Sequence, residues 1–334
     1  MKVADIRPDS LMAGQRAAME RDIARLAAAR DGFVAVDCPA CDGADSAVLY
    51  DKYGLTHRRC AACRTQFISP RPGPEALTRF YAESENYAYW AKHIYPASAE
   101  TRRRQIFVPR ADLVESQCRA RGALGGTVVE VGAGFGLFCE ELAARGSFAH
   151  VIGIEPSPAL ADACRAKGIA VIESPFETAT LPAPADVIAA FEVVEHLFRP
   201  KELLDFAFAS LNPGGLLILT CPNIEGFETI ALGRASAAVD HQHLNYFTPR
   251  SLALLAGRAI FAEIEVTTPG RLDVDLVRRA LAAGEVDRAA LGGFVAHLID
   301  AASDEIDERF QAFLQAAGLS SNMMMVARKP AAGA

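Results

Sequence analysis

Two short stretches concentrate side chains that can move protons. "FEVVEHL", residues 191–197, puts Glu192, Glu195 and His196 directly after the apolar run "ADVIAA". "VDHQHLNYF", residues 239–247, adds Asp240, His241, His243 and Tyr246. Three of the seven histidines therefore fall in two segments, in the company of three acids. An imidazole changes charge near neutral pH, so His196 or His243 can act as a general base toward a substrate. One such histidine alone would read as a cap or a satisfied polar group. Three with three acids point to a functional site.

A glycine-rich turn is the second candidate. "VVEVGAGFG" places Gly132, Gly134 and Gly136 between an expected strand and an expected helix. Glycines there let a ligand approach the backbone, and the helix start offers free N–H groups. Leu137 stands where a dinucleotide fold needs Gly or Ala, which disfavours a pyrophosphate ligand. Glu130, just before the turn, suits an ammonium better than a phosphate. "GIEPS" puts Glu155 at the end of the next expected strand, 23 residues after Gly132. An acid at that offset binds ribose hydroxyls in nucleoside-binding α/β folds.

The third candidate is a metal centre. Cys38 and Cys41 form "CPAC", Cys60 and Cys63 form "CAAC", and 18 residues separate the pairs. Two C-x-x-C knuckles complete a tetrahedron of thiolates around zinc. A redox C-x-x-C comes singly and opens a helix, so zinc is the favoured reading. A closed four-cysteine site leaves no position for substrate and is expected to be structural, supplying folding energy to a lobe too small for its own core. Beside it, His57, Arg58, Arg59 and Arg64 read as a solvated basic face in preference to an anion contact. Cys118, Cys139, Cys164 and Cys221 are scattered and read as small buried thiols.

These groups need elements to hold them. The pattern predicts an N-terminal helix in residues 1–33, the four-cysteine ribbon in 34–72 and a helical, aromatic-rich connector in 73–124. Residues 125–330 then alternate short apolar strands with helices of about a dozen residues, the mark of βαβ units and a parallel sheet. A mostly helical insert at about 272–317 precedes a last strand, "SNMMMVARK".

Taken in order, "EVGAGFG", "GIEPS", "FEVVEHL" and "LNPGGLLILTCPN" resemble the class I S-adenosylmethionine-dependent methyltransferases over about residues 126–268. The resemblance implies an α/β, Rossmann-like seven-stranded sheet, mostly parallel, with "NMMMVARK" as its antiparallel final strand. It implies that Glu130 faces the methionine amine of S-adenosylmethionine and that Gly132, Gly134 and Gly136 lie under the methionyl chain. Glu155 then takes the ribose diol, Phe176 and Glu177 of "SPFE" contact the adenine, and Glu192 touches the cofactor or a metal. In this fold the strand ending near Phe191 opens at its carboxyl end into the cofactor crevice, which brings Glu195 and His196 to the chemistry. The four-cysteine lobe ahead of such a domain resembles methyltransferases of sugar and polysaccharide biosynthesis.

Two family patterns bear on the deprotonation step. Small-RNA 2′-O-methyltransferases and ubiquinone-pathway O-methyltransferases hold a divalent metal with a similar E-x-x-E-H sequence. That resemblance implies a second ion, magnesium or manganese, at Glu192, Glu195 and His196 with one of His241 or His243, acidifying the attacking hydroxyl. Deoxysugar C-methyltransferases with a zinc lobe use a Glu-His pair before "YF". Here "QHLNYF" keeps His243 but has Gln242 in place of the glutamate, which disfavours C-methylation. A histidine base acting without an ion is the reading preferred here.

Composition narrows the partners. The chain is 51% hydrophobic and 22% charged, ordinary for a globular protein. A net charge of −7 argues against nucleic-acid and anionic-membrane partners. No apolar run approaches the roughly 20 residues of a membrane span, and the N-terminus lacks an apolar signal core, so a cytoplasmic protein is expected. The expected activity is O-methylation of a small polyhydroxylated acceptor, a sugar nucleotide or glycan unit. The aromatic connector residues Phe80, Tyr81, Tyr87, Tyr89 and Trp90 could face a sugar ring. The alternatives are an RNA methyltransferase whose ribbon grips RNA, favoured by "TRRRQ" at 101–105, and a cofactor-binding pseudo-enzyme that acts as an assembly partner.

Overall fold

A long N-terminal helix, Asp9–Ala28, leads into the cysteine-bearing region in the computed structural model, which describes residues 2–300 and 303–331. Five short strands follow: β1 (Phe33–Val34), β2 (Ser46–Lys52), β3 (Leu55–Cys60), β4 (Gln66–Ile68) and β5 (Arg71–Pro72). β2, β3 and β4 are antiparallel neighbours, and β1 pairs with β5. The chain then runs through Pro74–Glu83 and a nearly continuous helical stretch to Ala120. Trp90–Ile94 and Arg103–Phe107 in that stretch are wider π turns, a geometry frequent at functional sites. Buried Asp22 anchors the N-terminal helix to the connector by accepting from Ser84 Oγ and from the amides of Glu85 and Asn86, at 2.6–3.0 Å.

The apolar runs beyond residue 124 form a central sheet. Its strands are β6 (Gly125–Val131), β7 (Phe148–Ile154), β8 (Ala170–Ile172), β9 (Ala185–Phe191) and β10 (Leu211–Pro222), followed after the short β11 (Asn245–Tyr246) by β12 (Ala262–Thr267) and β13 (Asn322–Arg328). The order across the seven strands is β12-β13-β10-β9-β6-β7-β8. β13 runs antiparallel to β10 and β12, while the pairs among β10, β9, β6, β7 and β8 are parallel. This is the expected Rossmann-like sheet. β9 and β10 are apolar on both faces because helices cover both sides, so they read as continuous runs and not as alternating strands. Proline at the first turn starts the helices Pro158–Ala166, Pro200–Ser210 and Pro249–Arg258, where its missing N–H costs nothing.

β11 does not join the central sheet. It pairs antiparallel with β4, Asn245 opposite Phe67 and Tyr246 opposite Gln66, and becomes the outer strand of the ribbon sheet β11-β4-β3-β2. The segment carrying His243 is thereby stitched to the cysteine-bearing lobe. No helix among the described residues is long and apolar enough to cross a membrane.

Candidate active site

The glycine turn lies between β6 and the helix Leu137–Arg145. Gly132, Gly134 and Gly136 have φ of +75°, +56° and +70°, the left-handed region that side chains avoid. A Cβ on Gly132 would stand 2.8 Å from Val193 Cγ2, so the turn is also pressed against the segment that follows β9. Glu155 leaves the end of β7 and is tied back to the loop. Its Oε2 accepts from the Gly134 amide at 2.8 Å and its Oε1 from the Ser157 amide at 2.9 Å. Glu130, near the end of β6, is buried and accepts from Cys139 Sγ at 3.1 Å. Burial raises its carboxyl to about 8, against the opposing pull of the Cys139 contact and of Arg110. Arg110 itself, which the sequence reading missed, stacks 4.3 Å from the Phe191 ring. Phe176 packs into the core against Phe206, with ring centroids 5.8 Å apart, while Glu177 is exposed.

After Phe191 the chain turns sharply. Glu192 takes φ +56°, and Val194–His196 forms one 3-10 turn. That turn buries the Glu195 side chain completely, and neither of its carboxylate oxygens has a hydrogen-bond partner among the described residues. Burial, and then the nearby Glu192, pushes the Glu195 carboxyl well above the usual range. His196 and His243 meet edge to face, with ring centroids 4.6 Å apart. The Nδ1 atoms lie beside carbonyl oxygens, that of Gln242 for His196 (3.2 Å) and that of Ala238 for His243 (2.7 Å). A carbonyl only accepts, so each Nδ1 is assigned the proton and each Nε2 is left as a free acceptor. Burial and the neighbouring His243 push His196 down to about 3. Asp240 Oδ1 accepts from the amides of Gln242 and His243 and lies 4.0 Å from His243 Nδ1.

Glu195, His196 and His243 each present a ligand atom within 4.8 Å of the others. One carboxylate and two imidazoles can hold a divalent ion. The set differs from the expected one at Glu192, and of the two alternatives His241 and His243 it contains His243. Glu192 is exposed, and its Oε1 is taken by Thr220 Oγ1 (2.7 Å) and Asn322 Nδ2 (3.0 Å), so it stands outside the cluster. His241 is buried edge-on against Tyr53 and Phe80 and is likewise outside it.

The four paired cysteines do converge. Cys38 and Cys63 sulfurs are 3.4 Å apart, Cys41 and Cys60 3.5 Å, and all four lie within 4.8 Å of one another. A tetrahedral zinc with bonds of about 2.3 Å sets its sulfurs roughly 3.8 Å apart, so the donors fit that ion. The two knuckles are twins: Asp42 and Arg64, each following the second cysteine of its pair, have φ of +56° and +65°. Burial raises the Cys60 thiol, but the amides of Cys63 and Ala62 and the neighbouring thiols outweigh it and bring Cys60 down to about 7.

Comparison with known proteins gives a consistent picture. Residues 99–265, half of the chain, match the family described as a methyltransferase domain. A ubiquinone biosynthesis O-methyltransferase of Xylella fastidiosa (strain 9a5c) is 32% identical over 147 residues, 39% of this chain and 58% of that protein. The chain thus spans less than two thirds of that curated relative's length. A probable S-adenosylmethionine-dependent methyltransferase of Mycolicibacterium smegmatis (strain ATCC 700084 / mc(2)155) is 26% identical over 211 residues, 57% of this chain and 80% of that protein. Among solved structures, an amino pentose methyltransferase from Micromonospora echinaspora involved in calicheamicin biosynthesis is 28% identical, with a TM-score of 0.34 over 37% of this chain and 54% of that one.

Proposed function

The chain belongs to the methyltransferase-domain family, and on that premise we propose that it transfers the methyl group of S-adenosylmethionine to an oxygen of a small polyhydroxylated acceptor, a sugar nucleotide or glycan unit. One observation carries the reading. The segment leading into the Glu195–His196 turn packs on the glycine loop, where a Cβ on Gly132 would stand 2.8 Å from Val193 Cγ2, and this supports a proton acceptor working beside the cofactor loop. The cofactor, when bound, supplies a methyl group on a positively charged sulfur.

The chain's own residues do the rest. Glu155 is held by two amides with its remaining lone pairs available to a ribose diol. Glu130 offers a carboxylate to the methionine ammonium, and the three glycines leave room for the methionyl chain. His243 Nε2 takes the proton from the acceptor hydroxyl, and the Asp240 carboxylate 4.0 Å from its other nitrogen stabilises the imidazolium. His196, pushed down to about 3, resists protonation and serves as a neutral partner that orients the hydroxyl. The cysteine lobe holds a structural zinc. Oxygen as the acceptor atom is supported by the name of the Xylella relative, and the sugar-like acceptor by the resemblance, read from the sequence, of the four-cysteine lobe to that of sugar-biosynthesis methyltransferases.

A second reading rests on the orphaned carboxylate of Glu195: a divalent ion held by Glu195, His196 and His243 that acidifies the hydroxyl directly. A weak chelator that spares the zinc separates the two. The histidine base keeps its rate, whereas the ion-dependent site loses it and regains it with manganese. The reaction itself is tested by incubating the protein with S-adenosylmethionine and a panel of sugar nucleotides. Mass spectrometry should find one product heavier by a single methyl group. If methylated products appear only with RNA, the acceptor assignment is wrong.

A further inference from the structure

The ribbon is joined to the reaction centre along two paths. The first is backbone. Ile68 in β4 donates its amide to the Leu244 carbonyl at 3.0 Å, and Leu244 donates its own amide to the Glu195 carbonyl at 2.8 Å. The second runs through side chains. Arg71 is 1% exposed, and its Nη1 donates to Asn245 Oδ1 at 2.9 Å and to the Phe198 carbonyl at 3.2 Å. Asn245, also 1% exposed, donates from Nδ2 to the Leu197 carbonyl at 2.8 Å, with the Glu195 and Val194 carbonyls at 3.2 and 3.3 Å. Asn245 thus closes the turn that holds Glu195 and His196, and Arg71 holds Asn245.

A buried guanidinium keeps its charge and needs a counter-charge. Arg71 pairs with no carboxylate among the described residues, and burial brings it down to about 9 against the opposing pull of Cys38 in the four-cysteine cluster. The metal-bearing knuckle also leads straight into β4: Cys60 donates its amide to the Thr65 carbonyl at 2.9 Å and Cys63 Sγ lies 3.1 Å from Thr65 Oγ1, so an ion that fixes the four cysteines fixes the start of the strand that holds Leu244. The other half of the crevice is built differently. Glu130 stands on β6 and Glu155 just past the end of β7, and their side-chain hydrogen bonds go to Cys139, Gly134 and Ser157, not to the ribbon.

We propose that Arg71 and Asn245 are positioning residues that carry the order of the zinc-loaded ribbon into the Glu195–His196 turn, so that losing the metal disables the acceptor half of the crevice and spares the cofactor half. The inference rests on the methyltransferase reading only for its cofactor readout. The test uses the full-length, zinc-loaded protein and the variants Asn245→Ala, Arg71→Met and Arg71→Lys. Hydrogen–deuterium exchange reads the Leu244 amide, and calorimetry reads S-adenosylhomocysteine.

Asn245→Ala and Arg71→Met should speed exchange at Leu244 about tenfold with cofactor affinity unchanged within about twofold. Arg71→Lys should restore part of the protection, since it keeps the charge and loses the fork. Wild-type protein stripped of zinc should exchange like Asn245→Ala. Unchanged exchange at Leu244 in the zinc-loaded variants, or an equal loss of cofactor binding, overturns the proposal. Wild-type protection at Leu244 in the stripped protein overturns the metal link. If stripping unfolds the chain, the zinc-loaded variants decide. Failure of the wild type to bind S-adenosylhomocysteine counts against the methyltransferase reading, and the exchange comparison still judges the positioning role.

Discussion

Burial holds the carboxyl of Glu130 protonated up to about pH 8, while the proposed ligand brings an ammonium that needs it ionised. The sign follows from linkage. A carboxyl whose folded value lies above its unfolded one contributes stability fully present below the unfolded value, near 4.5, and lost as pH rises through about 8. Adding S-adenosylhomocysteine brings an ammonium to the buried carboxylate, so its stabilising effect should grow with pH. Thermal shift at pH 6 and pH 7.5 should show the larger increment at pH 7.5, and Glu130→Gln should remove the difference. Among the histidines, His243 carries the proton in this account. His243→Ala should lower turnover by about 10²–10⁴-fold, the usual worth of a general base, with cofactor affinity intact. His196→Ala should cost less, because His196, pushed down to about 3, stays neutral and takes no proton. A larger loss at His196 in steady-state kinetics would reverse the two roles.

The glycine turn and the strands around it set the geometry of the crevice. Gly136 starts the helix Leu137–Arg145 at φ +70°, and a Cβ there would stand 2.8 Å from Cys164 Sγ. Gly136→Ala should therefore destabilise the fold by about 1–3 kcal/mol, from left-handed backbone strain and the clash together, and should weaken cofactor binding. Chemical denaturation and calorimetry measure the two effects. These elements were legible in the sequence because long apolar runs and glycine turns are local signals. The Cys pairs were legible for the same reason, since thiolate spacing is itself the geometry. β11 was not, because two residues carry no period and their partner, β4, lies some 180 residues earlier in the chain. Asn245, Arg71 and Arg110 escaped notice for a related reason: their roles come from tertiary placement, not neighbouring sequence. The sequence could not show that Glu192 and His241 lie outside the Glu195–His196–His243 cluster, because a motif fixes which residues are near a turn and not which way each side chain leaves it.

Over the whole chain, a small metal-stabilised lobe and a methyltransferase-type sheet share the segment around residues 240–247 and cannot be cut apart without removing the acceptor side. The protein should carry one zinc per chain by elemental analysis, and Cys38→Ser should lose it together with several degrees of melting temperature. A stable, zinc-free Cys38→Ser protein with the wild-type melting temperature would show that the lobe folds without metal. The net charge of −7 is consistent with a small-molecule acceptor in preference to a nucleic-acid partner. The catalytic reading depends on the crevice taking S-adenosylmethionine. The most direct test is a calorimetric titration of S-adenosylhomocysteine into the wild-type protein and into Glu155→Ala. Saturable binding with one site per chain, lost or strongly weakened in Glu155→Ala, is the predicted result. No binding by the wild-type protein, or equal binding by both, would contradict the account.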